Sequence, residues 1–202
     1  MTAIVDYGVG NLFSLRSSLL ALHEETAVTS DPAEIHAADR VILPGVGAFG
    51  DAAEKLRGSG LDRTVIEEAA SGKPLLGICL GMQLLFERGF EFGTHAGLGL
   101  LKGDIVPMQG TIPPGLKIPQ MGWNALTVKR PHPLLRSVRE GDCVYFVHSF
   151  YADGCEDSLI AVTEYGREMT AVAAKDNVMG CQFHPEKSGK VGLGILKAFC
   201  EL

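Results

Sequence analysis

One cysteine among five stands where a nucleophile would. Cys79 lies in Gly77-Ile78-Cys79-Leu80-Gly81, between a β-rich run and a helical one. A nucleophile on a tight strand-to-helix turn needs small neighbours, because the backbone is strained there and passes close to the next helix. A helix N-terminus behind it favours the thiolate, the reactive species. Such a thiolate needs a base, and the base an orienting acceptor. His184-Pro185-Glu186 follows the run Val178–Phe183, and its i, i+2 spacing lets the carboxylate reach back to the imidazole. Pro44-Gly45-Val46-Gly47 closes another β-rich run and could present backbone N–H groups to an oxyanion. Taken singly, each feature has an ordinary reading: a glycine-flanked buried Cys, a structural His, a Gly/Pro turn. Taken together, all three fall at C-terminal ends of expected strands, the edge where open α/β sheets place their sites.

The elements that must position them divide the chain in two. The first half alternates. Ala3–Val5 reads as a buried strand, and Asn11 as the cap of a helix with Leu12, Leu15, Leu19 and Leu22 on one face. Ala27-Val28 is a short strand and Arg40–Leu43 a third. A helix covers about 61–71, the strand 74–78 runs into Cys79, and 82–87 is helical again. From Leu101 to Phe183 the pattern is β-rich instead: 104–106, 125–128, 144–147, 159–162, 170–172 and 178–183, with turns at Gly166 and Asp176-Asn177. A last helix carries Val191, Ile195 and Phe199 on one stripe. The expectation is a single α/β domain over 1–202, an open, mostly parallel sheet flanked by helices, with a β-rich second half.

Composition narrows the function classes. The chain has 202 residues, is 46% hydrophobic, and carries a formal charge of −6. No basic stripe suits nucleic acid or an anionic membrane. No apolar stretch approaches the ~20 residues of a membrane span, and the N-terminus lacks a secretory pattern. Cys143, Cys155, Cys181 and Cys200 form no Cys-x-x-Cys pair and read as reduced, buried small hydrophobes of a cytoplasmic protein. Nothing in the pattern calls for a metal or a cofactor.

The run Gly77–Phe86 with His184-Pro185-Glu186 resembles the class I (triad) glutamine amidotransferases, whose fold is flavodoxin-like and whose chain order is Cys, His, Glu. The resemblance spans nearly the whole length. Pro44–Phe49, Pro119–Asn124, Tyr145–Phe150 and Gln182–Ser188 are similar to one branch of that family, the glutaminase subunits of imidazole glycerol phosphate synthases. The resemblance implies that Cys79 attacks the side-chain amide of L-glutamine, His184 shuttles the proton, and Glu186 holds the imidazole. It places the oxyanion on the N–H of Leu80 and on Val46 and Gly47. Gln83, Ser149 and Phe150 would hold the amino-acid end of glutamine; members often carry Tyr at Phe150. His148 reads as a supporting residue, and Glu87 as either an orienting group or an exposed helix-end carboxylate. The branch works as a heterodimer with a (β/α)₈-barrel cyclase that receives the ammonia. Trp123, Asn124, Tyr145 and Lys187 match positions near that interface, with plain packing as their other reading. Val46, between two glycines, would be misoriented until the partner docks.

Two other readings stay open on the residues. A glutaminase could serve a different acceptor, in pyridoxal phosphate or anthranilate synthesis. Asp6-Tyr7-Gly8-Val9-Gly10-Asn11 superficially suggests a dinucleotide loop, but the third glycine is missing, and a tight βα turn suffices.

Overall fold

The computed structural model describes residues 1–202. In chain order the elements are β1 (Thr2–Val5), α1 (Leu12–Ala21), β2 (Thr26–Thr29), α2 (Pro32–Ala37), β3 (Arg40–Leu43), α3 (Phe49–Gly58), α4 (Leu61–Ala70), β4 (Leu75–Ile78) and α5 (Leu80–Leu84). The second half adds β5 (Arg88–Gly89), β6 (His95–Ala96), β7 (Asp104–Pro107), β8 (Gln120–Ala125), β9 (Thr127–Val128), β10 (Cys143–His148) and β11 (Phe150–Asp153). It closes with β12 (Leu159–Glu164), β13 (Glu168–Lys175), β14 (Val178–Cys181) and α6 (Gly189–Cys200).

The main sheet has eight strands in the order β2-β1-β3-β4-β14-β13-β12-β9. Its first five strands are parallel and the remainder is antiparallel. All four residues of β1 and of β4 are buried, as strands covered on both faces must be. Alternate side chains feed two cores. Ala3, Val5, Val41, Leu43 and Leu75 pack with Ile35, Leu56, Val65 and Met82 from α2–α5, while Ile4, Ile42, Leu76 and Ile78 pack with Leu15 and Leu19 of α1 and Ile195 and Phe199 of α6. No helix is long and apolar enough to cross a membrane.

The β14 pairing is what matters for the site. This strand comes from the β-rich half but runs parallel to β4, with Cys181 opposite Ile78. On the other side Leu43 of β3 lies opposite Gly77. Three adjacent C-terminal strand ends therefore carry the Pro44 turn, Cys79 and the His184 segment.

Several elements differ from the sequence expectation. Helix α5 starts at Leu80 and ends at Leu84, not 82–87, so Glu87 lies beyond it, exposed, accepting the Gly103 N–H at 3.0 Å. The strand expected over 125–128 is divided at the buried Leu126: β8 ends at Ala125 and β9 covers Thr127–Val128. Asn11 occupies the N-cap position but makes no side-chain cap bond. Cys143 is exposed rather than buried, because it stands on the outer side of β10, where alternate residues face away from the core. Helices α2 and α3 lie outside the expected set and fill the connections on either side of β3.

Candidate active site

Cys79 has φ 54° and ψ −111°, a left-handed backbone that costs a non-glycine residue about 1–3 kcal/mol. The glycines on either side show why the turn can exist. A Cβ on Gly77 would lie 2.6 Å from the Met82 Cα, and one on Gly81 only 1.9 Å from the Leu43 carbonyl oxygen. The main chain of the turn thus passes against both its own helix and β3. The Cys79 N–H donates to the Cys181 carbonyl at 2.8 Å, fastening the turn to β14.

His184 is buried, and its Nδ1–H donates to Glu186 Oε1 at 2.8 Å. Burial alone pushes an imidazole's pKa down; the hydrogen bonds and negative charge of Cys79 and Glu186 outweigh it and raise His184 to about 9. The site thus favours the protonated ring, with Glu186 on its Nδ1 side and Cys79 lining the same cleft. The loop that carries it is stitched to β10: His184 N–H to the Tyr145 carbonyl (3.0 Å), Tyr145 N–H to Ser188 Oγ (3.0 Å), and Ser188 Oγ–H to the His184 carbonyl (2.6 Å).

The third strand end holds the turn. Tyr7 O–H donates to the Pro44 carbonyl at 2.7 Å, and burial, then the Cys79 charge, raises the Tyr7 pKa far above its ordinary value. Gly45 lies against this anchor; a Cβ there would meet Gly81 N at 2.7 Å and Tyr7 Oη at 2.9 Å. Gly47 has φ 100°. The N–H groups of Val46 and Gly47 donate to no acceptor in the fold. Leu80, first residue of α5, likewise has no carbonyl four residues back within its helix.

Cys79, Leu80, Val46, Gly47 and His184 line one cleft of about 300 Å³ with Gln83, Glu91, His148, Ser149 and Phe150. Gln83 commits its amide N–H groups internally, to the Phe150 carbonyl (3.1 Å) and Gln182 Oε1 (3.0 Å), and Gln182 Nε2 stands 3.8 Å from Cys79 Sγ. Its carbonyl oxygen is what it can offer a ligand. Ser149 gives its carbonyl to Met108 N–H at 2.9 Å, while its own N–H and hydroxyl make no bond. The Phe150 carbonyl takes a second donor, His148 Nδ1, at 2.8 Å. Burial, then the nearby His184 charge, lowers His148 to about 4 against the opposing pull of that carbonyl, so the ring is neutral.

Glu91 and Gln182 join the site without being among the residues expected from the sequence. Glu91 Oε2 accepts the Phe49 N–H at 2.7 Å, capping α3 from 42 residues away, and its carboxylate lines the cleft. No local pattern announces that, since the contact depends on where the 90–96 loop returns. Gln182 begins the segment Gln182–Ser188, two residues before His184, and that spacing is the available signal.

The expected interface residues divide by face. Trp123 is 55% exposed, edge-on to Tyr145 with centroids 6.1 Å apart, and Lys187 Nζ lies 5.9 Å above the Tyr145 ring. Met121 is exposed beside them. Asn124 turns to the inner side, its Oδ1 accepting from Gln120 Nε2 at 3.0 Å.

A sequence-family description, glutamine amidotransferase class-I, matches residues 3–201. The imidazole glycerol phosphate synthase subunit HisH of Wolinella succinogenes is 51% identical to the chain over 204 residues, covering all of both. The protein of the same name in Lactococcus lactis is 49% identical, covering 98% of the chain and 96% of the relative. Among solved structures, PurLQS from Thermotoga maritima aligns with a TM-score of 0.76 at 21% identity, covering 99% of this chain and 97% of that one. A crystal structure described as a glutamine amidotransferase aligns with a TM-score of 0.76 at 16% identity, covering 99% of each chain. These two likenesses concern the fold alone.

Proposed function

The chain belongs to the class-I glutamine amidotransferases, and from that premise we propose that it is the glutaminase subunit of an imidazole glycerol phosphate synthase. The observation that carries the reading is the Cys79–His184–Glu186 constellation at three adjoining strand ends, in a chain about half identical over full length to subunits so named. The match over 3–201 also supports one domain spanning 1–202.

In this reading Cys79 reacts as the thiolate of a pair with the His184 imidazolium. Its Sγ adds to the δ-carbon of L-glutamine, and the carbonyl oxygen becomes an oxyanion. That charge is held by the Leu80 N–H and one from Val46 or Gly47; one such donor is worth on the order of 10²–10³ in rate. His184 passes its proton to the amide nitrogen as the C–N bond breaks, so ammonia leaves and a γ-glutamyl thioester remains on Cys79. The neutral imidazole then takes a proton from water, whose oxygen attacks the thioester and expels the thiolate, leaving glutamate and restoring the pair. Glu186 fixes the Nδ1–H tautomer throughout. The Glu91 carboxylate and Gln83 carbonyl suit the substrate's α-ammonium, and the free Ser149 N–H and hydroxyl suit its α-carboxylate.

Ammonia released into water would be protonated, so it passes directly to a cyclase partner with a (β/α)₈ barrel, forming imidazole glycerol phosphate and an aminoimidazole carboxamide ribonucleotide in histidine biosynthesis. The exposed Trp123–Tyr145–Lys187 face is the docking surface, since aromatic anchors concentrate binding energy. The Val46 peptide is set for catalysis when the partner docks. The test is a glutaminase assay on the chain alone and with an imidazole glycerol phosphate synthase cyclase plus its nucleotide ligand, with Cys79→Ala as control. Partner-dependent hydrolysis lost in Cys79→Ala supports the reading; hydrolysis retained in Cys79→Ala overturns the mechanism. A rate equal with and without partner overturns the control by docking.

A further inference from the structure

Within the segment Asp6–Asn11, Tyr7 anchors the Pro44 turn, but Asn11 has no part in the chemistry above although it lies beside the triad. An asparagine at a helix N-cap normally turns its side chain onto the helix's free amides. Asn11, with φ −89° and ψ 64°, makes no such bond with α1. It lines instead a small cavity shared with Pro44, Gly45, Val46, His184 and Glu186. This cavity admits the centre of a water molecule over about 10 Å³, the room of one water.

Glu186 supplies the second observation. Its side chain is 3% exposed; Oε1 is engaged by His184, and Oε2 is buried without a hydrogen-bond partner. An ionised oxygen held in that condition is unfavourable, so a donor there would hold both the charge and the plane of the carboxylate. Of the polar side chains around the cavity, His184 is committed to Glu186, which leaves Asn11.

We propose that Asn11 is a positioning residue for Glu186, its carboxamide donating to Oε2 through a single water seated in this cavity. The water has the partners that buried waters need: a carboxylate oxygen, an amide, and the turn peptides of Gly45 and Val46 across the cavity. Asn11 is itself only half-buried, so the orientation of the triad is controlled from the protein surface. The proposal rests on Glu186 orienting His184 in the reaction described above.

The test compares Asn11→Ala, Asn11→Leu and Asn11→Ser in the complex with the cyclase, with Ser17→Ala on the exposed side of α1 as control. Losing the donor lowers kcat about tenfold with KM nearly unchanged, the size of effect seen when an orienting outer partner is removed. Serine, which can donate to the same water, restores most of the rate. NMR of the His184 Nδ1–H gives a readout independent of turnover: the resonance broadens in Asn11→Ala and Asn11→Leu and sharpens in Asn11→Ser. If Asn11→Leu fails to fold, the alanine and serine variants carry the comparison. Wild-type kcat, or a lowered kcat with an unchanged resonance, overturns the proposal. If the wild-type protein hydrolyses no glutamine but the resonance still responds, the functional reading fails and the positioning role stands.

Discussion

The two halves of the molecule hold their site residues in opposite ways. Around Cys79 the backbone is fixed by close approach: glycines at 77, 81 and 45 leave no room for a Cβ, and a buried tyrosine is tied to the turn. Along β10 the inner side chains are buried, but the outer face of β8 exposes Met121 and Trp123. Cys79 is therefore set by main-chain geometry, whereas His184 hangs from a loop whose bonds lead one step to Tyr145 on that exposed face. Main-chain packing leaves Cys79 little room to shift, while the loop that carries His184 is bonded to a strand beside an exposed face.

The largest test of this contrast is Cys79→Ala, which removes the thioester route and lowers glutamine hydrolysis by at least about 10⁴-fold, with the melting temperature little changed. Glu186→Gln comes next, with a loss on the order of 10²–10⁴ in kcat, as for an orienting carboxylate made neutral. It also shifts the pH profile. His184 titrates at about 9, above its ordinary value, so the ion-paired form is present at neutral pH and is lost as pH rises through that value. Removing the Glu186 charge lowers the upper limb of a kcat/KM–pH plot; an unmoved limb would show that Glu186 does not hold the imidazolium.

Gly81→Ala drives a Cβ toward the Leu43 carbonyl oxygen and costs about 3 kcal/mol in denaturant unfolding. Trp123→Ala should leave the isolated chain's stability within ~0.5 kcal/mol yet weaken partner binding by about 2 kcal/mol in calorimetry. If both effects appeared in stability, the outer face would be core and the contrast would fail. The smallest effect is Gly58→Ala. A Cβ there meets nothing within 4 Å, so the change stabilises by about 0.4–1 kcal/mol.

How much is legible in the sequence follows the same division. The β1, β3 and β4 runs read as strands because their apolar stretches, 3–5, 41–43 and 75–78, are buried on both faces. Helix α3 does carry a sequence signal, since Phe49, Ala52, Ala53 and Leu56 are its buried residues at helical spacing. So does α2, where Asp31 caps the chain just before Pro32. Strand β8 carries almost none: Gln120-Met121-Gly122-Trp123-Asn124 is extended because it pairs residue by residue with β10, not through its own propensity. The cap expected of Asn11 is missing, and that residue lines the small cavity beside Glu186 instead.

The sequence by itself singled out Cys79 between its glycines and the His184-Pro185-Glu186 triplet, because these depend on local backbone freedom and on the short reach between i and i+2. Tertiary structure decided the rest. Only the parallel docking of β14 beside β4 brings Cys79 to His184, 105 positions later. Only the returning loop puts Glu91 into the cleft. Pairing between distant strands and the gathering of Cys79 and Glu186 around His184 that raises it arise from packing, and no single stretch of chain encodes them.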